Sequence, residues 1–114
     1  MDDCLFCKMI SGEIQPDVVY EDDDVLAFRD INPQAPFHAL IVPKRHISTL
    51  NDLTPDDAEL MGRLHLAAKA VAAQAGIDKA GYRTLINCNE QGGQVVFHIH
   101  LHLLGGRRMG WPPG

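Results

Sequence analysis

From Phe97 to Leu103 the chain alternates without a break, with Phe97, Ile99, Leu101 and Leu103 on one parity and His98, His100 and His102 on the other. Alternate residues of a β-strand face the same side. The run therefore predicts a strand over 96–104, with three imidazoles along one face at intervals of roughly 6.6 Å. The apolar set, Phe97 included, is expected to fill the opposite face. A strand face that was merely solvated would carry Thr, Lys or Glu. Three histidines there point to imidazole chemistry.

The same patterning predicts further strands over Val18–Glu21, Val25–Arg29, 38–43 and 82–88. The acidic stretch Glu21-Asp22-Asp23-Asp24 reads as a solvated hairpin tip. Asn32-Pro33-Gln34-Ala35-Pro36 reads as a loop, because prolines near both ends exclude a regular helix. Residues 4–11 make a short helix closed by Gly12. A long helix starts at Thr54-Pro55-Asp56-Asp57, with Thr as N-cap, Pro in the first helical position and acids in the first turn. It runs to about Ala75 and stops at Gly76, with Leu60, Leu64, Ala67 and Val71 on one apolar face. His65 flanks that face and reads as a structural or exposed histidine. The expected class is α+β, a five-stranded, mostly antiparallel sheet with the long helix on one face.

At 114 residues the chain is long enough for one domain with its own core, expected over 1–114. No apolar run approaches the ~20 residues that span a bilayer. Met1-Asp2-Asp3-Cys4 offers no basic region or apolar signal core, so a cytoplasmic location and no membrane association are expected. A net charge of −5 argues against a polyanion-binding surface, and no nucleic-acid partner is expected.

Three cysteines leave no complete disulfide framework. Cys4 and Cys7 form a Cys-x-x-Cys pair, which alone is compatible with redox activity, metal binding or neither. Cys88 reads as a small buried apolar residue in the fourth strand.

Two chemistries suit the histidine run. His-x-His on a strand presents ligands to zinc. Alternatively, a central histidine attacks a phosphorus centre while its neighbours hold the anionic oxygens. A hydrolytic metal site recruits carboxylates as well, and Glu90 is the nearest acid in sequence. Gly92-Gly93, just upstream, lets the backbone approach a ligand and aim amide N–H groups at an anion. Together with the histidines this favours a phosphate cradle.

His-x-His-x-His followed by two apolar residues resembles the signature of the histidine triad (HIT) superfamily of nucleotide hydrolases and transferases. Phe28 to Pro36, His38, Val42 to Ser48, Gly92-Gly93-Gln94, Gly105-Gly106-Arg107 and Trp111-Pro112-Pro113-Gly114 are similar to its Hint branch, the purine nucleoside phosphoramidases. The matches run in order from about Phe6 to the last residue.

The resemblance implies that His100 is the nucleophile, attacking an α-phosphorus to form a nucleotidyl-imidazole that water cleaves. It implies that His102 holds a non-bridging phosphate oxygen and that His38 supports the cluster. Asp30 is expected at the ribose hydroxyls and Ile31 on the base. Asn87 is expected at the phosphate or ribose side, and Gly93, Gln94 and Val95 in the phosphate loop. Val95 stands where the family carries Ser or Thr, so only its backbone N–H is available. Several bacterial relatives and the galactose-1-phosphate uridylyltransferases share the Cys-x-x-Cys pair, which with residues matching His46 and His98 holds a structural zinc. No organic cofactor is implied.

The implied function is hydrolysis of phosphoramidates of purine nucleotides such as AMP or GMP. The implied assembly is a homodimer with a continuous ten-stranded sheet, in which Trp111 reaches the partner's site. Alternatives are hydrolysis of dinucleoside polyphosphates or aminoacyl-adenylates by the same histidine, or a nucleotide-binding regulatory module. A metal hydrolase using all three triad histidines is disfavoured by the lack of carboxylates near the run.

Overall fold

The computed structural model describes residues 3–114. Five strands form one antiparallel sheet in the order β1-β2-β3-β5-β4, with β1 Val18–Glu21, β2 Val25–Arg29, β3 Phe37–Pro43, β4 Tyr82–Leu85 and β5 Leu101–Gly105. β2 and the central strand β3 are mostly apolar on both parities, because both faces of the sheet are covered. On one face Val25, Ala27, Ala39 and Ile41 pack with Ile99, Leu101 and Leu103 against Leu64, Ala67, Ala68 and Val71 of the helix α2, Ala58–Gln74. On the other, Leu26, Phe28, Leu40 and Val42 meet Phe6 of the short helix α1, Leu5–Ile10.

The start of the long helix is tighter than predicted. Pro55–Asp57 forms a 3-10 turn before α2, and Asp57 Oδ2 accepts from the Thr54 N–H at 2.8 Å. The stop falls where expected, since Gly76 takes the left-handed φ of +75° that a glycine tolerates. A second 3-10 turn over Leu50–Asp52, capped by Thr49, was not foreseen. His65 is exposed, with Nδ1 2.8 Å from the Met61 carbonyl.

Three expectations need correction. The ladder of β5 begins at Leu101, not at residue 96. Its partner β3 ends at Pro43, which has no N–H to donate, and the Pro43 carbonyl is taken by the His98 side chain at 2.8 Å. Phe97 precedes the ladder and is 47% exposed, so it does not join the core face. β4 ends at Leu85, and Cys88 is a half-buried cap on the helical turn α3, Asn89–Gly92, not a buried strand residue.

Candidate functional site

The alternation of the histidine run survives even where the ladder does not. Ile99 and Leu101 enter the α2 side, while His98 and His100 turn to the opposite face beneath Phe6. His102 lies next along β5, its ring centroid 5.0 Å from that of His100. His38 reaches it diagonally from β3, as neighbouring antiparallel strands permit.

Hydrogen bonds assign the protons on these rings. His100 Nδ1 is 2.8 Å from the His98 carbonyl, which can only accept. His100 therefore carries its proton on Nδ1, and its Nε2 holds the lone pair. The Gln34 backbone N–H donates to His38 Nδ1 at 3.0 Å, which places the His38 proton on Nε2. That Nε2–H faces His102 Nδ1 at 2.9 Å, so neutral His102 carries its proton on Nε2. His102 Nε2 is buried with no hydrogen-bond partner among the described residues. The arrangement thus offers a nucleophilic lone pair on one ring and an unspent N–H donor on the next.

Burial keeps the rings neutral. It is the largest cause lowering His100, opposed by the bond to the His98 carbonyl and by Asp30. His38 is lowered by burial against the attraction of Asp30. His102 is pushed down to about 4, first by burial and then by repulsion from His100 and His38.

Asp30 follows β2, with a carboxylate oxygen 3.5 Å from His38 Nε2 and the other accepting from the Asn32 N–H at 2.8 Å. A carboxylate does therefore stand beside the triad, though not one near it in sequence. The Asp30, His38 and His102 ligand atoms lie within 4.8 Å of one another. The hydrogen bonding disfavours a cation there: His38 Nδ1 is committed to the Gln34 N–H, so its Nε2 bears a proton, not a ligand lone pair.

The second cluster is different. The ligand atoms of Cys4, Cys7, His46 and His98 also converge within 4.8 Å. His98 Nε2 donates to the Pro43 carbonyl, which leaves Nδ1 as its lone pair. That Nδ1 lies 3.4 Å from Cys4 Sγ and 3.1 Å from His46 Nδ1, and Cys7 Sγ is 3.4 Å from His46 Nδ1. With no cation, burial and the neighbouring Cys4 push the Cys7 thiol up to about 11. Two thiols, two imidazole nitrogens and a carbonyl that fixes one ring are a donor set suited to a closed tetrahedral metal.

The remaining expected residues are not joined to the rings. Ile31 is 100% exposed, Val95 86% and Trp111 83%; these three and the half-buried Asn87 make no hydrogen bond or ring contact with the histidines. Gly93 takes a left-handed φ of +83° at the end of α3. Gln94 is buried and its side chain is fully engaged: Oε1 accepts from the Asn89 N–H, and Nε2 donates to the Ser48 and Val96 carbonyls. It shapes the loop, and its own N–H is taken by the Asn89 carbonyl, as that of Gly93 is by the Glu90 carbonyl, each at 3.0 Å.

The HIT domain model matches residues 11–109. The chain belongs to the HIT family. It is 50% identical to the purine nucleoside phosphoramidase of Escherichia coli over 96% of this chain and 92% of that protein. Among solved structures, a HIT family hydrolase from Legionella pneumophila superposes with a TM-score of 0.96 at 57% identity, covering 98% of this chain and 100% of that one. A histidine triad nucleotide-binding protein from Candida albicans gives 0.82 at 34% identity, over 96% and 83% respectively.

Within this HIT domain three contacts around the triad escaped the sequence reading. Phe6, 3% exposed, sets its ring edge-on to His98 and His100 at 5.8 and 5.1 Å. The Pro43 carbonyl and the Gln34 N–H are backbone groups, which carry no signal in side-chain identity. Only the position of Phe6 between Cys4 and Cys7 hinted at its place, since a helix docked through both cysteines must also bury what lies between them.

Proposed function

We propose that this HIT-family chain is a hydrolase that cleaves purine nucleoside phosphoramidates through a nucleotidyl-His100 intermediate. The observation that carries the reading is the pairing of the His100 Nε2 lone pair with the unpartnered Nε2–H of His102 on the adjacent ring. The name of the Escherichia coli relative supports the choice of bond.

In this reading His100 Nε2 attacks the α-phosphorus. The P–N bond breaks, its electron pair goes to the amine, and the amine takes a proton from solvent because Val95 supplies no hydroxyl. Water then attacks phosphorus and gives its proton to solvent, the bond to Nε2 breaks, and the pair returns to the ring. His102 Nε2–H donates throughout to a non-bridging oxygen, where charge builds in each transition state. Asp30 meets the ribose hydroxyls, Ile31 lies on the base, and the Val95 N–H with Asn87 receives the phosphate side, in a loop that Gly93 and Gln94 shape.

Cys4, Cys7, His46 and His98 would hold zinc, which would supply a structural cross-link between α1 and the sheet. The chain pairs with a second copy through the edge strand β4 to make ten strands, which would also cover the exposed Leu66 of α2 and bring Trp111 to the partner's site.

Steady-state kinetics on adenosine phosphoramidates and on dinucleoside polyphosphates test the reading. The phosphoramidates should have the higher kcat/KM; a preference for the polyphosphates by more than about tenfold would overturn the bond assignment.

A further inference from the structure

The motif Gly105-Gly106-Arg107 plays no part in the mechanism above, yet the structure gives it a definite place. Gly106 has a left-handed φ of +89°, and a Cβ there would lie 2.8 Å from Pro36 Cβ. The two turns press together because position 106 is bare. Arg107 follows, and two of its guanidinium nitrogens close on one acceptor: Nη2 donates to the Gln34 carbonyl at 3.0 Å and Nε donates to it at 3.4 Å, while Nη1 donates to the Arg108 carbonyl at 3.1 Å.

Gln34 belongs to a loop that has little else to hold it. Pro33 and Pro36 have no N–H, the loop is closed at its base by Asp30 N–H to the His38 carbonyl, and the Gln34 side chain reaches only to the Asn32 carbonyl. The fork from Arg107 is what ties Gln34 to a distant part of the chain. The backbone N–H of Gln34 is also the first donor in the series that runs through His38 to His102.

We infer that Arg107 is a positioning residue: it holds Gln34 so that the Gln34 N–H fixes which nitrogens of His38 and His102 carry protons. The direction of the whole series follows from that first bond. A backbone N–H cannot reverse its role, so His38 must donate from Nε2, His102 must accept at Nδ1, and the His102 Nε2–H must point onward. If Gln34 moves away, His38 is free to carry its proton on Nδ1, the His102 ring can reverse, and a lone pair then faces the phosphate oxygen. Nucleotide would still bind through its base and ribose, but the donor that acts in the transition state would be lost. The inference deepens the proposed mechanism and rests on it for the catalytic consequence alone.

The test uses full-length protein with 15N-labelled histidine and the variants Arg107→Met and Arg107→Lys. Met keeps the apolar stem and deletes the donors, while Lys retains one. Long-range 1H–15N correlation spectra report the protonated nitrogen of each ring. Wild type should show a single Nε2–H form for His38 and His102. Arg107→Met should show mixed or reversed forms for both rings and keep the Nδ1–H form of His100. On adenosine phosphoramidate its kcat should fall about tenfold with KM within about twofold, the scale expected for one hydrogen bond lost in the transition state. Arg107→Lys should recover part of both. Unchanged ring forms in Arg107→Met would overturn the inference, as would altered ring forms with unchanged kcat. If wild type turns over no phosphoramidate, the proposed reaction fails, while the spectra still decide whether Arg107 sets the tautomers.

Discussion

Replacing Phe6 by Ala probes how α1 is held over the triad. At 3% exposed, Phe6 packs edge-on against Phe28 at 5.5 Å as well as against His98 and His100. Deleting a buried phenyl ring costs about 3–5 kcal/mol when the surroundings cannot collapse into the gap. For a chain of this length each kcal/mol moves Tm by roughly 4 °C, so the metal-loaded variant should melt about 12–20 °C lower. The cost depends on α1 staying docked. With six residues α1 is too short to persist alone, and it is fastened by Phe6, by the Cys4–Cys7 cluster and by the half-buried Met9 and Ile10. When a chelator removes the cation, α1 can undock, Phe6 is already solvated, and the substitution should cost less than about 2 kcal/mol. The two perturbations should therefore be non-additive by at least about 1–3 kcal/mol. The assay is denaturant unfolding of wild type and Phe6→Ala, each as purified and after chelation, with metal content measured alongside. Additivity within about 0.5 kcal/mol would refute the shared role of ring and cluster. A wild-type metal content near zero would refute the cluster itself.

Two further predictions concern pH and assembly. His102 stays neutral in the fold down to about 4, whereas in the unfolded chain it titrates near 6.5. The unfolded state takes up the proton first, so stability falls as pH drops through that window. His102→Asn should flatten part of the slope of Tm against pH between 6.5 and 4, and an unchanged slope would contradict the assignment. The second concerns the tail: Trp111→Ala should change selectivity among amine leaving groups more than it changes AMP affinity. Sedimentation at micromolar concentration should show a dimer; a monomer, or an unaltered leaving-group profile, would count against the tail's role.

What the sequence disclosed follows from the range of the interactions involved. Period-two alternation is local, so the facing of His98, His100 and His102 away from Ile99 and Leu101 was legible. The start of the ladder was not, because it depends on Pro43, more than fifty residues upstream of the run. The apolar stretch up to Cys88 looked like strand, but the segment after it is shaped by Gln94 reaching the Ser48 carbonyl, a contact no local pattern encodes. Cys-x-x-Cys announced a pair, while its meeting with His46 and His98 came from family resemblance and is visible only in the folded chain. Asp30 beside His38 was likewise out of reach of spacing arguments. The proton positions lie furthest from the sequence, since backbone groups of Gln34 and His98 set them.

The most direct test of the account is to quench the reaction with adenosine phosphoramidate during turnover and weigh the intact protein. Wild type should carry one nucleotidyl group, mapped to His100 after digestion under conditions that spare a P–N bond. His100→Ala should carry none, should still bind AMP, and should lose essentially all turnover. An adduct on another residue, or turnover in His100→Ala within about tenfold of wild type, would contradict His100 as the nucleophile.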